Sequence, residues 1–280
     1  GDDVTSGTGS CSTCGGRCCR SYVVPVSGYD VWLIATRQRL SPEQFLVAHP
    51  QKEAAADGFI LRADGPPLGL ALDKQGRFQP TQPCVFLMQL GGGEYRCGIY
   101  HDRPLVCRTY PMAMWNGAIS QRGDTLCPPD SWVQDATLEA WHDDLQRLRM
   151  HWDLYAQVVD HWNDRVKAVG AEREFGITEY LGYVLSVYDR IAVLDQELGR
   201  RELTRVVAEW PNLPRASALS GASRGAVSGW QRYLDRVQSC LEGFFPGHHV
   251  RPPRFRPIAG APLPPSAAAT PQARAEPGSR

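Results

Sequence analysis

The sequence predicts a mainly α-helical protein in which an irregular, loop-rich, cysteine-bearing region with a few short strands packs on a helical hairpin or small bundle. Three observations carry that reading. Eight of the nine cysteines fall between Cys11 and Cys127. Short apolar runs broken by Gly, Pro and Asp fill residues 58–88. From residue 130 to Ala168 apolar side chains recur at three- and four-residue spacing with no interior Pro or Gly.

Taken in order, residues 1–10 are small and polar and read as a flexible N-terminus. SYVVPV after the first cysteines is a short extended piece ended by Pro25. Residues 30–39 place Val31, Ile34 and Ala35 on one face of a short helix. Ser41-Pro42-Glu43 has the N-cap and first-turn proline of a second helix, which should end near Pro50. FILRA, LGLALD and CVFLM then suggest strands or extended loops, and residues 91–129 set cysteines among glycines and prolines, as loops held by a bound ion would.

The helical part follows. Residues 130–168 form one long or bent amphipathic helix with Trp132, Ala136, Leu145, Leu148, Trp152, Tyr155, Val159, Trp162 and Val166 on its stripe. A helix over 178–198, capped by Thr178, buries Tyr180, Leu181, Val184, Val187, Tyr188, Ile191, Leu194 and Leu198; another covers 227–245. From residue 246 Pro, Ala, Arg and Ser dominate, a composition that cannot repay the entropy of folding. The expected division is 1–10 flexible, 11–130 cysteine-rich, 131–245 helical and 246–280 a disordered Pro/Ala/Arg-rich tail.

Thirty basic and thirty acidic residues give zero formal charge, so no global field favours nucleic acid or an anionic membrane. No apolar run approaches the roughly 20 residues of a membrane span, and no charged-then-apolar leader is visible. Free-thiol chemistry then places the protein in the cytoplasm. Its expected partner is another protein, met through the helical half or the Pro-rich tail.

A chain of 280 residues can bury a core without disulfide staples, and nine is an odd number of cysteines. The clustered ones, Cys11, Cys14, Cys18, Cys19, Cys84, Cys97, Cys107 and Cys127, read as metal ligands, enough for two sets of four or one set with spares. Gly15-Gly16 lets the backbone turn sharply beside the C-x2-C pair. Consecutive side chains tend to diverge, so Cys18 and Cys19 suit two neighbouring centres, or one ligand and one structural thiol. All-sulfur ligation favours zinc or an iron–sulfur cluster over magnesium or calcium, without separating the two. Cys240 sits with Val237 and Leu241 on an apolar helix face and reads as core.

The run CSTCGGRCC, with PCVFL at 83–87, CGIYHDRPLVCRTYP at 97–111 and CP at 127–128, resembles the YkgJ-type cysteine-cluster family, a zinc- or iron-chelating CxxCxxxCC domain. The resemblance covers roughly residues 11–130 and implies metal binding through the eight cysteines. Relatives of that family look like the flagellin lysine N-methylases, which use S-adenosylmethionine and carry an iron–sulfur cluster. An S-adenosylmethionine-dependent protein lysine N-methyltransferase is therefore one alternative, and a zinc-stapled protein-interaction module another. The chain has no Gly-rich strand–turn–helix signature for a nucleotide-type S-adenosylmethionine site.

Arg103 and Arg108 flank the cluster and could screen its negative charge or anchor a carboxylate; the competing reading is salt bridges to Asp102 or Asp124. Tyr100 and Tyr110 read as packing residues and His101 as a turn residue. Glu139-x-x-His142, His151, Asp160, His161 and Asp164 read as a solvated helix face, and the tryptophans as helix core.

Overall fold

The computed structural model describes residues 14–51, 58–77, 79, 81–115, 118–127, 138–211 and 228–245. Residues 1–10, Cys11, the stretch 130–137 with Trp132 and Ala136, the Glu139 side chain and the tail from 246 lie outside the described residues or side chains.

Positive φ at Gly15 and Gly16 turns the chain into α1 (Arg17–Ser21), which carries Cys18 and Cys19. A Cβ on Gly16 would stand 2.9 Å from a Leu87 methyl, so the bare backbone also permits a close approach there. α2 (Gly28–Gln38) starts two residues earlier than its apolar spacing suggests, because Ser27 and Asp30 close a capping box. It ends at Arg39, which takes a left-handed conformation.

The helix expected from Ser41 to Pro50 does not form. The Gln44 side chain does accept from the Ser41 amide at 2.8 Å, but the turn that follows is only the 3₁₀ turn Pro42–Gln44. The chain then enters β1 (Leu46–Pro50), paired antiparallel with β2 (Leu68–Leu72) from Leu46↔Leu72 to Pro50↔Leu68. Ladder bonds and burial of Leu46, Leu70 and Leu72 override the local helix signal. Two more antiparallel pairs follow, β3 (Leu87–Gln89) with β4 (Tyr95–Cys97) and β5 (Met112–Trp115) with β6 (Ala118–Gln121). Between them lies α3 (Leu105–Thr109).

α4 (Leu138–Val169) is the spine of the molecule. It touches α2, α3, β5 and β6 of the cysteine-bearing half, and also α5 (Ile177–Leu198), α6 (Arg200–Ala208) and α7 (Gly229–Glu242). The predicted stripe of α5 is buried from Tyr180 to Leu194. Its cap is Gly176, not Thr178. α5 ends at Leu198, the bound the sequence predicts, yet after Gly199 the chain re-enters a helix at once, and α6 buries Val206 and Val207.

Because α4 is covered on both sides, its polar residues are not all solvated. His151 and His161, expected at the surface, are each 4 % exposed. His151 stacks on Tyr29 at 3.8 Å between ring centres, and His161 Nδ1 lies 2.8 Å from the Tyr183 hydroxyl. Trp141 and Trp162 are buried as predicted, whereas Cys240 is half-buried on α7 and not in the core.

One continuous apolar cluster runs from Val24 through α4 and α5 to Leu241. Polar contacts tie the halves as well. The Trp162 indole donates to the Ile60 carbonyl at 2.8 Å, and Asn163 accepts from the Ile60 amide and donates to the Gly58 carbonyl, both at 2.9 Å. No described helix is long and apolar enough to cross a membrane.

Candidate metal centre

Five short segments bring six cysteines to the wall of one cavity: Cys14 from the glycine turn, Cys18 and Cys19 from α1, Cys84 from the turn before β3, Cys97 from the end of β4 and Cys107 from α3. Main-chain bonds tie several of these segments together. The Cys84 amide donates to the Cys19 carbonyl at 2.8 Å, and Cys97 faces Leu87 across the β3–β4 pair. The Gly98 amide reaches the Phe86 carbonyl at 2.8 Å. Apolar groups, among them Val24, Leu72, Phe86, Leu87, Ile99 and Val106, complete the wall.

Cys127 follows β6 and lies by the Tyr22–Tyr110 pair, whose rings meet edge-on at 5.7 Å. The Leu126 amide donates to the Tyr110 hydroxyl at 2.6 Å, and Tyr22 donates to the Asp124 carbonyl. Both tyrosines line the cavity; Cys127 is not among the residues that do.

Cys18 and Cys19 do not diverge as adjacency suggests: their sulfurs lie 3.9 Å apart. The pair shares one hydrogen bond, so the Cys19 thiol draws Cys18 down to about 7 while Cys19, as donor and in a desolvated place, is pushed up. Burial pushes Cys84 up, and Cys107 well up, with further opposition from neighbouring cysteines. Proton loss from this set is costly in isolation and becomes favourable when a cation takes the protons' place.

Positive groups are at hand. Arg103 lines the cavity, its guanidinium stacked over the Tyr100 ring at 4.1 Å, and its charge favours the thiolate at Cys18 and Cys107. Arg108 points elsewhere, donating to Asp144 of α4 at 2.9 Å. Asp102 accepts from Gln38 and Asp124 from Arg122, so neither takes Arg108. His101 and Tyr100 form a T-shaped pair in the turn Tyr100–Asp102.

Sequence reasoning missed two residues that build this site. Asp30, fully buried, accepts from the Ser27 amide and hydroxyl and from the amide of Leu105, the first residue of α3, and so anchors the helix that carries Cys107. Lys74, 7 % exposed, donates to the carbonyls of Cys19 and Tyr22. A lone lysine closing the apolar run LGLALDK is the one trace it leaves in the sequence.

The donor chemistry fits zinc or iron, since among the described residues the cavity wall offers sulfur and no carboxylate or imidazole. Among the described residues, however, no group of three or more His, Cys, Asp or Glu side chains could hold an ion as it stands. The thiols surround a space and do not close on a point.

Fold and site together define a mainly α protein built around a cysteine-lined cavity. Residues 10–129 match the family described as "CxxCxxCC: Putative zinc- or iron-chelating domain". No curated protein and no solved structure matches the chain.

Proposed function

We propose that the cavity between α1, β3, β4 and α3 holds a thiolate-ligated iron–sulfur centre, with ligands drawn from Cys14, Cys18, Cys19, Cys84, Cys97 and Cys107. The observation that carries the reading is that six cysteines are set around one largely apolar cavity, more thiols than the four a single zinc ion takes. A lone tetrahedral zinc needs four sulfurs each about 2.3 Å from the ion. A cluster that brings its own sulfide fills the middle of such a ring and needs less closure of the protein around it. Once bound, such a centre supplies one-electron chemistry, and burial together with Arg103 would set its potential. Cys11, which precedes Cys14 by three residues in the sequence, and Cys127, beside Tyr110, remain as further ligands.

Reconstitution of chelator-stripped, reduced protein tests this. Ferric iron with sulfide and a thiol reductant under nitrogen should give a brown species that retains iron through desalting, and zinc alone should not block its formation when present in equal amount. Retention of one zinc per chain, with no visible absorption after the iron treatment, would remove the iron–sulfur reading and make the centre structural.

A further inference from the structure

We propose that Lys74 is a positioning residue of the thiol cavity, its buried ammonium clamping the C-terminal end of α1, with Cys18 and Cys19, against the Cys84 segment. The ammonium donates to the Cys19 carbonyl at 3.1 Å and to the Tyr22 carbonyl at 2.6 Å. The Lys74 main chain forms an antiparallel bridge with Cys84, whose amide donates to the same Cys19 carbonyl at 2.8 Å. One residue thus joins α1 to the Cys84 turn through its backbone and its side chain at once.

Physical chemistry says why a lysine belongs there. α1 is five residues long, too short to hold its shape alone, and the carbonyls at its C-terminal end have no partner within the helix. A cation at a helix C-terminus satisfies such carbonyls and offsets their partial negative charge. Lysine is almost never this buried without a purpose that repays desolvation, and here its acceptors are two main-chain oxygens beside four cysteines, Cys18, Cys19, Cys84 and Cys107. When those cysteines ligate as thiolates, as the proposed function requires, the same ammonium offsets part of their buried charge.

The clamp is tested without any metal. Full-length protein, reduced and metal-free, is treated with iodoacetamide, and the rate at each cysteine is read by peptide mass spectrometry, with Cys240 as internal reference. Lys74→Met should raise the rates at Cys19 and Cys84 at least tenfold and leave Cys240 unchanged; Lys74→Arg, which keeps a charged donor, should restore most of the protection. Selective melting of the cysteine-bearing half in Lys74→Met, with α4–α7 helicity kept and Lys74→Arg folded, is the same result in stronger form. Unchanged rates in Lys74→Met, or equal damage in both variants, overturns the clamp. Iron uptake by the wild-type chain is scored separately: a clamp seen in a chain that takes up no iron refutes the proposed centre alone, and normal uptake with unchanged alkylation refutes the clamp alone.

Discussion

Arg108 of α3 donates to Asp144 of α4 at 2.9 Å, and with Asp30 of α2 holding the first amide of the same short helix, the segment that carries Cys107 is held from two sides, by the helical half through α4 and by α2 of its own half. Asp144 is the more buried partner, its side chain 9 % exposed against 29 % for Arg108. Asp144→Ala leaves a half-buried guanidinium unpaired and should cost roughly 1–3 kcal/mol. Urea unfolding followed by circular dichroism measures it, and an unaltered midpoint would show that the pair contributes no stability.

α2 meets α5 at Gly28, where an added Cβ would lie 2.3 Å from the Tyr188 ring and 2.9 Å from Tyr155. Both rings are buried and cannot swing into solvent. Gly28→Ala should therefore destabilise by about 1–3 kcal/mol through overpacking, despite alanine's better helix propensity. Thermal unfolding of the variant checks this; a gain in stability would mean that the α2–α5 contact is looser than the structure has it.

Two buried groups give opposing acid dependences. Burial, with Arg147 nearby, lowers His151 to about 3 from its ordinary 6.5. Between those values the unfolded chain binds a proton that the folded one does not, so stability falls as pH drops through 6.5 toward 3. Burial raises Asp195 to about 6 from 3.8, against the bond from the Tyr233 hydroxyl. Its ionisation opposes folding above pH 6, and that penalty fades as pH falls from 6 toward 3.8. His151→Phe should flatten the acid loss of Tm measured from neutral pH to about pH 4, and Asp195→Asn should steepen it. Identical profiles for wild type and His151→Phe would contradict the assignment.

The cavity predicts an asymmetry among cysteines. Cys107→Ser removes a thiol from the wall, and Cys240→Ser removes one on α7, away from it. The first should lose at least half of the bound iron per chain, and the second none. Equal iron content in both variants would separate metal binding from the cavity.

What the sequence made legible follows from how local each signal is. The stripe from Tyr180 to Leu194 and the cysteine spacing depend on neighbours a few residues away, and both survive into the structure. The segment from Leu46 to Pro50 does not, because its partner strand lies some twenty residues downstream and no local pattern announces it. His151 and His161 lie ten residues apart and do not share a helix face, which suggests solvated groups, but α4 is covered on both faces and buries both. Arg103 and Arg108 are indistinguishable in RPLVCR, yet one lines the cavity and the other reaches Asp144 in another element. Lys74 and Asp30 act through main-chain groups distant in the sequence, which composition and spacing do not encode.

The most direct measurement is elemental analysis with acid-labile sulfide and a visible spectrum on the full chain, purified under nitrogen without an affinity metal column. The account predicts a brown protein with iron and sulfide in near-equal amounts and a band that bleaches on reduction. A colourless protein with stoichiometric zinc and no sulfide would contradict it.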